Sequence, residues 1–336
     1  MCSVKLAQIL VFFNFIPVKV LNETNVKFAA FSWRTLLSVL LCFGFSTLPT
    51  CISWVGNKTM KNERDGVEWL SLITFGAINY ILYPILPTLL SYSLSRMPSL
   101  ISTSRLKTSQ SIWLIFFSFC FFSIASVLQL FDEHYKDSNT FQVFVTFLSY
   151  FFSKLLLSTS AFLITSWIWA LNAMFLKETV SSSGEVVSIN NCLSLYKQFD
   201  KSFGFLFFIL FSSSSFLTIV DTYYVIALIS SSMKTNFSYF GLVCNTAGQL
   251  TYMLAIVLGL EDLHNNLLAL TDKLDEHEEN IKDEKEKTKL KNLRRKILST
   301  GPLTGSGFFN INKQSFVGML SFAATYIVIL VQFKQA

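Results

Sequence analysis

The chain predicts an all-α membrane protein with seven transmembrane helices, and three observations lead there. Hydrophobic residues fill 52% of the 336 positions and charged residues only 14%, against about 25% charged in an ordinary soluble domain. Mean hydropathy is +0.49 and Phe alone occupies 35 positions, more apolar surface than one soluble core of this size can hide. The apolar residues also gather into seven runs, most of them near or above the ~20 residues a helix needs to cross a bilayer.

The runs are residues 36–55, 69–94, 112–131, 141–175, 203–230, 239–260 and 316–333. Pro84 and Pro87 predict a kink in the second. Ahead of the first, residues 9–18 are apolar but broken by Asn14 and Pro17, and no small-residue cleavage site follows. An interfacial amphipathic lead-in helix fits that stretch better than a signal peptide does. Trp54, Trp69, Trp113, Trp167 and Trp169 lie near run ends, where indole rings anchor helices at the membrane interface.

Loop charge sets the direction. The N-terminus and the loops after spans two, four and six hold twenty of the 27 Lys and Arg; the other flanks hold six. The basic set is expected in the cytoplasm, so the N-terminus is inside and the C-terminus outside. The sequons at Asn57 and Asn236 fall in loops assigned outside and are glycosylation candidates; the one at Asn22 falls inside and is expected to be unused.

Residues 261–315 differ in kind. Leu263, Leu267, Leu270, Leu274 and Ile281 form a helical stripe, and residues 278–296 are dense in mixed charge with opposite signs four apart. This predicts either a solvated helical extension of span six or a helix that docks subunits. Gly301, Pro302 and Gly305 end it, and Phe308 and Phe309 restart an apolar patch.

The net charge of +6 is no nucleic-acid signature, and nucleic acid is not an expected partner. The six cysteines are scattered without a C-x-x-C and read as buried thiols; His134, His264 and His277 lie far apart. No metal, cofactor or catalytic constellation is called for, so an enzyme is the least favoured class.

Two ionisable residues sit well inside predicted spans, Lys154 in span four and Asp221 in span five. Charge at that depth faces a cavity or a partner. Tyr150 shares a helix face with Lys154, and Tyr224 shares one with Asp221, so spans four and five can bring these four together in the outer half. The two readings are a polar, aromatic-lined ligand pocket open to the outside, or a simple ion pair or snorkelling lysine.

In span seven, Thr325-Tyr326, five hydrophobic residues and Gln332-Phe333 form a signature. With Gly307-Phe308-Phe309-Asn310-Ile311 before it and the topology above, the chain resembles the insect gustatory receptor family. The specific similarity covers roughly the last thirty residues; elsewhere the agreement is one of layout. The chain is somewhat short for that family, which leaves a trimmed N-terminus or loop open. Sugar-sensing members commonly carry Glu after the Thr-Tyr pair; here Ile327 stands there, which leans toward bitter or other contact chemicals.

The resemblance implies a ligand-gated, non-selective cation channel in the plasma membrane of sensory dendrites. It implies a homo- or hetero-tetramer with other gustatory receptors, with a small-molecule tastant, permeant cations and membrane lipid as partners. The segments then read as a cytoplasmic N-terminus (1–35), a ligand-binding bundle of spans one to six (36–260), a cytoplasmic helical anchor (261–315), and a pore-lining span seven with a short extracellular tail (316–336). Ser321, Thr325, Val328 and Gln332 recur at steps of four, three and four on one face. They are the candidate pore lining, with Val328 or Ile329 an apolar constriction; hydrogen bonding of that stripe to a neighbouring helix is the alternative. Tyr326 and Phe333 share another side and are expected against neighbouring helices or the adjacent subunit. Phe308 and Phe309 are expected in the anchor that joins subunits.

Two other membrane-protein classes compete. A G-protein-coupled receptor needs the opposite topology, an acidic-Arg-aromatic triplet after span three and an Asn-Pro-x-x-Tyr element; residues 131–134 read Phe-Asp-Glu-His and the last span has no such element. A transporter is favoured by internal repeats or paired broken helices, and no obvious repeat is present.

Overall fold

The computed structural model describes residues 18–22, 25–28, 40, 78, 82–96, 110–129, 140–180, 186–230, 236–281 and 283–335. Span one, Trp54, Trp69 and the Asn57 sequon lie outside the described residues. The helices are α1 (Tyr83–Ser95), α2 (Gln110–Gln129), α3 (Thr140–Val180), α4 (Val186–Ser230), α5 (Asn236–Asn280), α6 (Glu284–Leu298) and α7 (Lys313–Gln335). Six of them correspond to spans two to seven; α6 belongs to the anchor. Among the described residues, four helical stretches are long and apolar enough to cross a membrane: Tyr150–Glu178, Val187–Ile226, Phe240–Glu279 and Lys313–Gln332.

Val18–Asn22 (β1) and Asn25–Phe28 (β2) pair antiparallel, with Val18 opposite Phe28 and Val20 opposite Val26. Of the expected lead-in helix, residues 9–18, all but Val18 lie outside the described residues. Val18, Val20, Val26 and Phe28 alternate with Lys19 and Lys27, a two-residue period that suits a ribbon.

Pro84 falls in the first turn of α1, where a missing N–H costs no helical hydrogen bond; Pro87 is its fifth residue and leaves the Tyr83 carbonyl without its i+4 donor. Just ahead, the backbone at Ile78 and Leu82 takes the wider π-helical turn.

Three helices outrun their predicted spans. At 1.5 Å per residue, the 45 residues of α4 and of α5 extend about 68 Å, twice the ~30 Å of bilayer hydrocarbon. The first seventeen residues of α4 escape a hydropathy reading because half their surface is polar. Ile189, Cys192, Leu193, Tyr196 and Phe199 are buried, while Asn190, Asn191, Ser194, Lys197 and Gln198 face out. That is a helical stripe without enough apolar residues to register as a membrane run.

The mixed-charge stretch is not one continuous extension of span six. It breaks at residues 281–283 and α6 packs back along α5. Leu290, Leu293 and Ile297 meet a core that includes Leu263, Leu267, Leu270 and Leu274, all at 5% exposure or less. Burial of two leucine stripes overrides the charge pattern. The Asp283 carboxylate caps α6 by accepting the Lys285 N–H at 3.0 Å, with acids in the first turn and Arg295 and Lys296 in the last. Charge pairs expected along one helix run instead between two: Arg294 to Asp275 at 2.9 Å and Lys291 to Glu278 at 3.5 Å.

After α6 the chain makes a tight turn and enters α7. Ile311 N–H donates to Leu303 O at 2.8 Å and Gly305 N–H to Phe309 O at 2.8 Å. Ser306 and Gly307 take positive φ of 56° and 79° to close it. Gly204 of α4 lets the turn approach: a Cβ there would lie 3.0 Å from Ser306 N. Asp200, one helical turn earlier, accepts the Thr304 N–H at 2.7 Å.

Candidate functional site: a buried polar cluster and an exposed last helix

Lys154 of α3 and Asp221 of α4 converge, each at no more than 1% exposure and within electrostatic reach of the other. The Nζ of Lys154 is surrounded by aromatic rings: Tyr150 and Phe122 at 5.1 Å and Tyr83 at 5.2 Å from their centroids. Such distances suit cation–π attraction. Its Nζ makes no hydrogen bond, so the pair is not the simple hydrogen-bonded ion pair that was one of the two expectations. The lysine does not snorkel to solvent either.

Asp221 has its own partners on α5. Its Oδ2 accepts from Asn245 Nδ2 at 2.5 Å and from Thr246 Oγ1 and Gln249 Nε2 at 3.5 Å. Its Oδ1 is buried without a hydrogen bond, as are Asn245 Oδ1, Gln249 Oε1 and the Tyr83 hydroxyl. Nearby, Tyr252 and Ser214 join hydroxyl to hydroxyl. Native interiors leave few such groups unsatisfied, so this concentration marks the cluster as more than packing.

Of the four sequence-predicted pocket residues, Tyr150, Lys154 and Asp221 come together. Tyr224 is half-buried and packs edge-on to Tyr223 at 6.1 Å. Sequence reasoning missed Tyr83, Phe122, Asn245, Gln249 and Tyr252. A signal for three of them existed: Asn245, Gln249 and Tyr252 fall at steps of four and three on span six, a polar stripe that a lipid-facing helix does not carry.

A concavity separate from this cluster lies toward the far end of α3 and α5. It has a volume of about 260 Å³ and its lining includes Trp169, Asn172, Asp262, Asn265 and Asn266. Asn172 there donates to Gly259 O at 3.1 Å and accepts from Asn266 at 3.0 Å. Trp169 thus borders a cleft, while Trp113 is 59% exposed on α2, as an interface anchor would be.

Helix α7 touches α4 and α5, with Phe316 and Met319 of its first two turns packed on the core, and is otherwise largely exposed. Among its described side chains only Ala323 is buried. Ser321, Thr325, Val328, Ile329 and Gln332 are all exposed. The Ser321 and Thr325 hydroxyls donate to Val317 O and Ser321 O at 3.0 Å, so within the chain they bond to their own helix and not to a neighbouring one. Tyr326 is 46% exposed and its ring lies 4.6 Å from Phe322. Phe333 lies outside the residues whose side chains are described. Ahead of α7, Phe309 packs on Phe211 at 5.7 Å and Phe308 on Phe208 at 5.0 Å, yet Phe308 stays 76% exposed. The Asn236 sequon opens α5.

The fold has solved counterparts. The insect olfactory receptor OR5 from Machilis hrabei, in complex with eugenol, matches with a TM-score of 0.66 at 12% identity, covering 98% of this chain and 97% of that one. A second structure of the same receptor matches at 0.64 and 12% identity, over 98% and 99%. At that identity the likeness shows the fold, that of a seven-helix membrane receptor. A comparison with curated protein sequences finds no match. The family model described as 7tm chemosensory receptor matches residues 2–336. With the whole chain spanned by that model, and its helices arranged as in a solved insect receptor, the protein belongs to the seven-transmembrane chemosensory receptor family and is a receptor, not an enzyme.

Proposed function

We propose that the chain is a gustatory receptor that acts as a ligand-gated, non-selective cation channel, a tetramer with α7 lining the pore. The observation that carries this is the exposure of α7. A helix apolar enough to span a membrane has only 6% of that span buried in its own chain, and Phe316 and Met319, which pack on the core, lie in its first two turns. Its Ser321, Thr325 and Gln332 stripe is poorly suited to lipid. Four copies around an axis would account for both: the stripe would face a water-filled pore and the remaining faces would meet neighbouring subunits or lipid. The exposed Phe308, beside Phe309, gives the anchor an apolar face for the same assembly.

The Tyr150, Lys154 and Asp221 cluster, with Tyr83, Phe122, Asn245 and Gln249 around it, is the ligand site. It lies between α1 to α5, in the half of the membrane that loop charge assigns to the outside. The similar OR5 structure is in complex with eugenol, a small organic molecule. Ile327 at the position after the Thr-Tyr pair favours a non-sugar contact chemical, such as a bitter compound. The plasma membrane of a sensory dendrite is the corresponding location.

Expression in a cell of low background conductance, with a panel of sugars, bitter compounds and small amines, tests the reading. A current that persists with G-protein signalling blocked supports the channel; a response abolished by the block favours a G-protein-coupled receptor.

A further inference from the structure

We propose that the Lys154–Asp221 cluster selects net-neutral ligands that carry both a hydrogen-bond donor and an acceptor, and that the charge balance of these two residues sets this specificity. The inference rests on reading the cluster as the ligand site.

The argument begins with the sum of charge. Lys154 and Asp221 face each other in a site where both are at least 99% buried. Whether the proton stays on Lys154 or passes to Asp221, the pair sums to zero. The other groups around it are Tyr83, Tyr150, Tyr252, Asn245, Gln249 and Phe122, none of which adds a charge. A ligand with a net charge would leave that charge uncompensated in a dry interior, which is costly. A neutral ligand avoids this.

The hydrogen-bond inventory then fixes its polarity. Lys154 Nζ is an unused donor; Asp221 Oδ1 is an unused acceptor, with Asn245 Oδ1 and Gln249 Oε1 beside it. A molecule with an acceptor for the first and a donor for the second satisfies groups that the protein leaves unsatisfied. The lysine is also the movable part of the wall. Its flexible stem ends in an Nζ with no hydrogen bond to lose, held by three ring faces and by attraction to Asp221. Alcohols, phenols and amides on a small apolar frame fit; carboxylates and ammonium ions do not.

Removing one charge should therefore change the ligand class. Lys154→Gln leaves the site net negative and suited to amines. Asp221→Asn leaves it net positive and suited to carboxylates. The test records evoked current from the full chain with 2-phenylethanol, phenylacetate and 2-phenylethylammonium, matched in frame and differing in charge. The unmodified receptor is expected to respond to the alcohol at concentrations on the order of tenfold lower than to either ion. Asp221→Asn should shift the preference to phenylacetate, and Lys154→Gln to the ammonium ion. The double variant, neutral again, should return to the alcohol. Thermal unfolding of the purified receptors covers the case of poor folding: each single variant should unfold earlier than the double.

A parent receptor that prefers either ion overturns the inference, as does a double variant less stable than both singles. If both single variants weaken all three probes equally, the site stands and the charge-balance inference falls. If all variants, at normal surface level, respond as the parent does, the ligand-site reading itself falls.

Discussion

Replacing Gly204 with Ala should loosen the junction between the anchor and α7. An added Cβ would lie 3.0 Å from Ser306 N, 3.3 Å from Ser306 Cα and 3.3 Å from Thr304 O, all backbone atoms. They cannot rotate away as a side-chain tip would. The turn that carries them is tied by Asp200 to Thr304 N–H at 2.7 Å and by the Ile311 to Leu303 bond at 2.8 Å, so it must move as a body. Gly to Ala inside a helix ordinarily gains about 1 kcal/mol. Overpacking costs about 1–3 kcal/mol. The net effect is therefore a destabilisation of up to roughly 2 kcal/mol, concentrated at the turn.

Gly241→Ala is the control. Its new Cβ would sit at ordinary distances, 3.5 Å from Ala125 O and 3.6 Å from Leu128 Cβ, so it should be neutral or gain up to about 1 kcal/mol. Hydrogen exchange reads the difference. The Thr304 and Ile311 amides should exchange on the order of tenfold faster in Gly204→Ala, by the rule of 1.4 kcal/mol per decade, and stay unchanged in Gly241→Ala. Equal protection in the two variants would refute the argument that backbone proximity at Gly204 determines the sign.

Three further outcomes are expected. Leu267→Ala should cost about 2–4 kcal/mol through the cavity it leaves between α5 and α6, and trypsin should then cut within residues 285–296 faster than in the parent. Ser321→Cys and Thr325→Cys, if α7 lines a pore, should lose current to a charged thiol reagent within the open state, while Phe322→Cys should not; block of all three alike would contradict the stripe. Asn236→Gln should remove a glycan-sized mass from the receptor on a denaturing gel, and no mobility change would place that sequon inside or unused.

The membrane class, the number of spans and the presence of the signature on span seven were legible in the chain because each rests on composition or local periodicity. Apolar runs near twenty residues long have few alternatives in lipid. Lys154 and Asp221 stood out for the same reason: charge inside such a run is rare, and depth alone marks it. The long cytoplasmic ends of α4 and α5 were less legible, since an amphipathic stripe such as Ile189, Cys192, Tyr196 and Phe199 averages away in a hydropathy window.

Tertiary structure decided the rest. The mixed-charge stretch turns back at residues 281–283 because Leu290, Leu293 and Ile297 find more apolar surface against α5 than a straight helix would offer them, and no local pattern states which leucine stripe meets which. The ring cage around Lys154 draws Tyr83, Phe122 and Tyr150 from three helices, and the acceptor set around Asp221 comes from a fourth and a fifth. Contacts between residues far apart in the chain depend on how helices cross, which depends on packing all of them at once. By itself the sequence determined that two opposite charges lie in the membrane; only the fold determined that they meet in one buried cluster, with an amine that makes no hydrogen bond and a carboxylate half satisfied.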